Sequence, residues 1–135
     1  MKELRLKATE HNIETATEFI NREMNSEGCS DNARALIDIA IDDLFCNIAR
    51  YAYGQEEGDV LVRFEFDEKG KAASVTLIDE GIPFDPLQKE DPDITLSAEE
   101  RKIGGLGIYM VKHIMDAVEY KYEDGRNIIR ITKKI

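Results

Sequence analysis

Between Ala33 and Ile48 the apolar residues recur every three or four positions, and from Val60 to Leu77 they recur every second one. The first pattern (Ala33, Leu36, Ile37, Ala40, Ile41, Leu44, Phe45, Ile48) is a single stripe along a helix of 3.6-residue period. In the second, Val60, Val62, Phe64 and Phe66 alternate with polar positions such as Arg63 and Glu65, which describes a strand buried on one face. Asp67-Glu68-Lys69-Gly70 turns that strand back, and Ala73, Val75 and Leu77 repeat the alternation on the return. A sheet with one apolar face and helices with one apolar stripe bury those surfaces against each other.

The remaining elements fit the same plan. Leu4 and Leu6 alternate with charged residues as a short opening strand. Thr9 begins a helical stretch carrying Ile13, Ala16, Phe19, Ile20 and Met24, which Gly28 ends. Ser30 or Asp31 caps the second helix and Gly54 closes it. A third helix runs from a glycine cluster to about Asp116, before a hairpin of Val118–Glu123 and Asn127–Thr132 around Asp124-Gly125. The fold class expected is α+β: a two-layer α/β sandwich, with a mostly antiparallel mixed sheet and three helices on one face. A single domain spans residues 1–135 in this reading. Pro83, Pro86 and Pro92 mark a polar stretch with little core character, expected to form a lid at about 85–103. Ser97 and Glu100 form a capping-box pair within it.

A net charge of −10 argues against nucleic acid or an anionic membrane as the main partner. No apolar run approaches the ~20 residues of a membrane span, and an intracellular, cytoplasmic location is expected. The two cysteines, Cys29 and Cys46, lack metal-type spacing, and Cys46 is expected as a buried, reduced thiol.

Three places can carry chemistry. Asp43 and Asn47, four residues apart, share a face of the second helix beside the Leu44/Ile48 stripe. An Asn oxygen suits Mg²⁺, and a neighbouring carboxylate can orient water or take a proton, although a solvated acidic pair and a boundary Asn would look the same. Asp79-Glu80-Gly81 ends a strand: its carboxylate can accept from an exocyclic amine, and Gly81 lets a flat ring approach the backbone. A simple strand-ending turn would use the same residues. Gly104, Gly105 and Gly107 strip side chains from the start of a helix, where unpaired N–H groups and the helix dipole favour a phosphate. Neither the G-x-G-x-x-G nor the G-x-x-x-x-G-K-[ST] signature occurs. A tight loop-to-helix turn is the alternative for this cluster.

Taken in order, three segments resemble the histidine-kinase-like ATPase superfamily with its Bergerat ATP-binding fold. They are Asp42-Asp43-Leu44-Phe45-Cys46-Asn47-Ile48-Ala49-Arg50-Tyr51-Ala52-Tyr53, Asp79-Glu80-Gly81-Ile82-Pro83-Phe84-Asp85-Pro86 and Glu100-Arg101-Lys102-Ile103-Gly104-Gly105-Leu106-Gly107-Ile108. The likeness is greatest to the small anti-sigma-factor serine/threonine protein kinases and covers nearly the whole chain. The resemblance implies that ATP and Mg²⁺ are bound. Asn47 would ligate the metal, Asp79 would hold the adenine amine with Gly81 beside the ring, and the backbone of Gly104, Gly105, Leu106 and Gly107 would meet the phosphates, with Arg101 reaching in from the lid.

It further implies phosphorylation of a serine on an anti-anti-sigma partner of the STAS type, binding of a sigma factor when that partner is absent, and a homodimer. One position departs from the pattern. Where the family carries Glu as base or water-orienting group, this chain has Asp43, about 1.3 Å shorter against a catalytic reach of about 2.6–3.2 Å. Asp42 points about 100° away and does not replace it. A binding regulator that sequesters its partner in a nucleotide-dependent way is the alternative function. His11 and His113 are read as solvated or packing residues rather than phosphoacceptors.

Overall fold

The computed structural model describes residues 1–88 and 105–135. In chain order its elements are β1 (Lys2–Lys7), α1 (Ile13–Ser26), α2 (Asp31–Tyr51), β2 (Asp59–Asp67), β3 (Ala72–Asp79), α3 (Gly105–Ile114), β4 (Ala117–Glu123) and β5 (Arg126–Lys134). A 3₁₀ turn at Glu10–Asn12 precedes α1, so the helix begins at Ile13 rather than Thr9. The turn is anchored from both sides: Asn12 Nδ2 donates to the Lys7 carbonyl, and Arg50 Nε donates to Glu10 Oε1 at 2.5 Å. Ser30 is the N-cap of α2, its hydroxyl accepting from the Ala33 N–H at 3.1 Å, which satisfies one of the helix's orphan donors. Gly28 and Gly54, at φ +74° and +62°, carry the left-handed backbone that takes the chain out of α1 and α2.

The five strands lie in the order β1-β2-β3-β5-β4, and all four pairings are antiparallel. One face of the sheet carries the core. Val60, Val62, Phe64, Ala73, Val75, Leu77, Ile129 and Ile131 meet Ala16, Ile20 and Met24 of α1, Ile37, Ile41, Leu44 and Phe45 of α2, and Ile108 and Val111 of α3 in one apolar cluster. Burying one such side chain contributes about 1.5–3 kcal/mol. Three helices on one face of an antiparallel sheet is the two-layer arrangement that the alternating patterns require. The other face is mixed: Leu61, Ile78 and Ile128 form one apolar cross-strand row, while Ser74 and Thr132 pair their hydroxyls at 3.0 Å and Arg63 reaches Glu3 at 2.7 Å.

Cys46 corrects one expectation. It is half-buried, its Sγ 3.7 Å from Glu10 Oε1, because it lies at the edge of the α2 stripe; Cys29 is the buried thiol. Both histidines are exposed, with the His113 ring 4.2 Å from that of Tyr109 and tilted 40° to it. No helix among the described residues is long and apolar enough to cross a membrane. Of the expected lid, residues 89–103 lie outside the described residues, including Arg101 and the Ser97/Glu100 pair, and so does Gly104.

Candidate functional site

Where β3 ends, the inward-facing row of the sheet changes character. Along β3 the core positions are Ala73, Val75, Leu77 and then Asp79; along β5 they are Ile131, Ile129 and then Asn127. Register places Asp79 directly opposite Asn127. The helix-facing surface thus acquires a buried polar pair at one end, at 5% and 7% exposure. Above this pair the last turns of α2 and the segment after β3 border a partly open, mainly apolar cleft, with about 550 Å³ of space between its walls, open solvent included. Leu44, Ile48, Ile82, Phe84 and Ile129 supply apolar walls, while Asn47, Asp79 and Asn127 supply the polar groups.

Asp79 is held by two donors that end on the same oxygen. The Gly81 N–H reaches Oδ1 at 2.9 Å and Asn127 Nδ2 reaches it at 3.0 Å. Burial pushes the carboxyl above its ordinary value of 3.8, and the two hydrogen bonds pull it back part of the way. Gly81 is constrained within the fold itself. A Cβ there would collide with the carbonyl group of Ala52, and the adjacent Ile82 N–H donates to that same Ala52 oxygen at 2.9 Å. The glycine therefore lets the post-β3 segment dock on the end of α2. Tyr53 secures the same junction, its hydroxyl donating to the Asp59 carbonyl and accepting from the Glu80 N–H.

Asn127 is the site residue that sequence reasoning missed. A signal was present: it opens the inward alternation Asn127, Ile129, Ile131, so a polar side chain there faces the core and needs partners.

Asn47 lies in α2, half-buried and lining the cleft, and Asp43 is half-buried one turn earlier; Asp42 is exposed. Gly105, Leu106 and Gly107 form the first turn of α3, which packs on α2, the helix that carries Asn47. Tyr51 stands 56% exposed at the mouth of the cleft. This lining suits a flat heterocycle bearing an amine: apolar surfaces for its faces and one buried carboxylate to accept from its N–H groups. Among the described residues no group of three His, Cys, Asp or Glu could hold a metal unaided. A Mg²⁺ at Asn47 would draw its other ligands from phosphate oxygens and water, as that ion commonly does.

Comparison with known proteins bears on the family and the fold. A family model described as the histidine kinase-like ATPase domain matches residues 6–133. Serine-protein kinase RsbW of Listeria monocytogenes is 29% identical over 113 residues, covering 80% of this chain and 70% of that protein. Serine/threonine-protein kinase BtrW of Bordetella bronchiseptica is 24% identical over 103 residues, covering 76% and 72%. Among solved structures, the RsbU and RsbW domains of Rv1364c from Mycobacterium tuberculosis superpose with a TM-score of 0.68 at 15% identity, over 99% of this chain and 32% of that one. The histidine kinase domain of a blue-light activated kinase from Erythrobacter litoralis gives 0.54 at 18% identity, over 76% and 44%. At these identities the structural likeness concerns the fold.

Proposed function

The chain belongs to the histidine kinase-like ATPase domain family, and from that premise we propose that it is an ATP- and Mg²⁺-dependent serine/threonine protein kinase serving as an anti-sigma regulatory factor. The observation that carries this reading is the buried Asp79 carboxylate at the floor of an apolar cleft whose wall also holds Asn47. Two relatives named as serine or serine/threonine protein kinases add support.

Asp79 accepts from the adenine amine, and Leu44, Ile48 and Ile129 cover the faces of the ring. The Asn47 amide oxygen holds Mg²⁺, which when bound neutralises phosphate charge. Gly105, Leu106 and Gly107, with Gly104 before them, direct backbone N–H groups at the phosphates, and Arg101 adds a cation from a lid at about 85–103. Asp43 takes the proton of the attacking serine hydroxyl, directly or through one water. Phosphoryl transfer needs positioning and charge neutralisation more than covalent help, which suits so sparse a set of groups. The substrate is a serine on an anti-anti-sigma partner of the STAS type, a sigma factor is the alternative partner, and the working unit is a homodimer. Transfer of labelled phosphate from ATP to a purified partner tests the reading, with Asp43→Ala abolishing it.

The shorter reach of Asp43 favours a second reading: a nucleotide-gated regulator that sequesters its partner without transferring phosphate. Asp43→Glu separates the two. If only that variant transfers phosphate, while the native protein merely gains thermal stability with Mg·ATP, the regulator reading stands.

A further inference from the structure

Asn127 makes more of its side chain than any other polar residue in the cleft. Its Nδ2 donates to Asp79 Oδ1 at 3.0 Å and to the Ile82 carbonyl at 2.9 Å, and its Oδ1 accepts from the Phe84 N–H at 3.0 Å and from the Tyr120 hydroxyl at 2.5 Å. A primary amide has two N–H donors and two acceptor lone pairs, and here all four are engaged. These partners also fix the orientation of the amide: two oxygens on the Nδ2 side and two donors on the Oδ1 side. No hydroxyl side chain could replace it, having one proton to give, and an ionised carboxylate could give none.

The four bonds connect things that are distant in sequence. Asp79 ends β3, Ile82 and Phe84 lie in the segment that roofs the cleft beside α2, and Tyr120 stands on β4. Both donors to Asp79 among the described residues end on Oδ1, which leaves Oδ2 as the atom for a ligand. We infer that Asn127 is a positioning residue: its amide holds the Asp79 carboxylate in one orientation, with Oδ2 presented to the cleft, and ties the Ile82–Phe84 segment to the same point. It acts on the ligand through Asp79 and is not itself a catalytic residue. The inference rests on the nucleotide reading only for what Oδ2 receives.

The test is a titration of the Asp79 carboxyl carbon by ¹³C NMR in the full chain without nucleotide, for the native protein, Asn127→Leu and Asn127→Asp, with thermal melts alongside. Tyr53, Tyr120, Glu80 and Asp85 are ionisable neighbours, so the signal is read at Asp79 alone. Removing a donor to the ionised form should raise the Asp79 midpoint by about one pH unit in Asn127→Leu. Asn127→Asp adds a like charge at the same place and should raise it further. The sign carries the argument, because a cleft merely loosened by the substitution would admit water and lower the midpoint. An unchanged or lowered midpoint in both folded variants overturns the inference. Mg·ATP titration then separates the two claims: a raised midpoint with ATP affinity at least tenfold weaker in Asn127→Leu supports both. A raised midpoint in a protein that never binds ATP keeps the positioning role and discards the nucleotide.

Discussion

Replacing Asp79 with Asn isolates what the buried carboxylate contributes to ligand binding from what it contributes to folding. An Asn oxygen can take the place of Oδ1 and keep both bonds, from the Gly81 N–H at 2.9 Å and from Asn127 Nδ2 at 3.0 Å. Those bonds lose their charge assistance, but a neutral amide is cheaper to bury than a carboxylate whose ionisation burial already opposes. The two effects offset, and stability should change by no more than about 1 kcal/mol, a melting shift of about 3–5 °C for a chain of this size. The cleft sees something different. An NH₂ group now stands where Oδ2 stood, so a donor faces the amine of the base. Losing a hydrogen bond to a charged acceptor costs about 1.5–3 kcal/mol, which is about 10- to 150-fold in affinity. Calorimetry with Mg·ATP beside differential scanning calorimetry of the free proteins reads both quantities. Equal affinity in the two proteins, or no heat from the native chain at millimolar Mg·ATP, would refute the assignment of Asp79 to the base.

Three further outcomes are expected. Because burial holds the Asp79 carboxyl above 3.8, ATP affinity should be full above that raised value and fall as pH drops through it. The contribution of the same group to folding runs the other way: present in full below 3.8 and lost as pH rises through the raised value. Binding isotherms and urea melts across the acid range should therefore show opposite slopes from this residue. Gly81→Ala drives a Cβ into the Ala52 carbonyl, where backbone must move; it should cost about 1–3 kcal/mol in urea denaturation, and an unshifted midpoint would show that the junction is plastic. Asn47→Asp should change the Mg²⁺ concentration needed for ATP binding while leaving the melting temperature nearly unaltered, and a matching loss of both would make Asn47 structural.

Much of the fold was legible because burial writes a period into the chain. The α2 stripe, the alternation along β2 and β3, and the Asp124-Gly125 hairpin each follow from local rules, and each element lies within a few residues of its expected place. Cys46 was misjudged where those rules are weakest, at the margin of a helical stripe. A one-residue step there rotates a side chain by about 100° and carries it from core to rim. The candidate site was legible in part. Asp43, Asn47, Asp79 and the glycines stand out by type and order, whereas the Ala52 carbonyl packed against Gly81 is a contact that no local pattern displays.

The amino-acid order alone determined which residues face inward, and hence a one-sided sheet under helices, because the alternation of apolar and polar side chains is set by the geometry of each element. It also contained both Asp79 and Asn127, each as a polar residue at the end of an apolar row. Only the tertiary structure decided that these two meet. They are 48 positions apart, and their pairing requires β5 to insert between β3 and β4 in one register. A shift of one residue would have turned Asn127 to the other face of the sheet. Strand order and register come from the summed packing of the whole core, which no local pattern encodes.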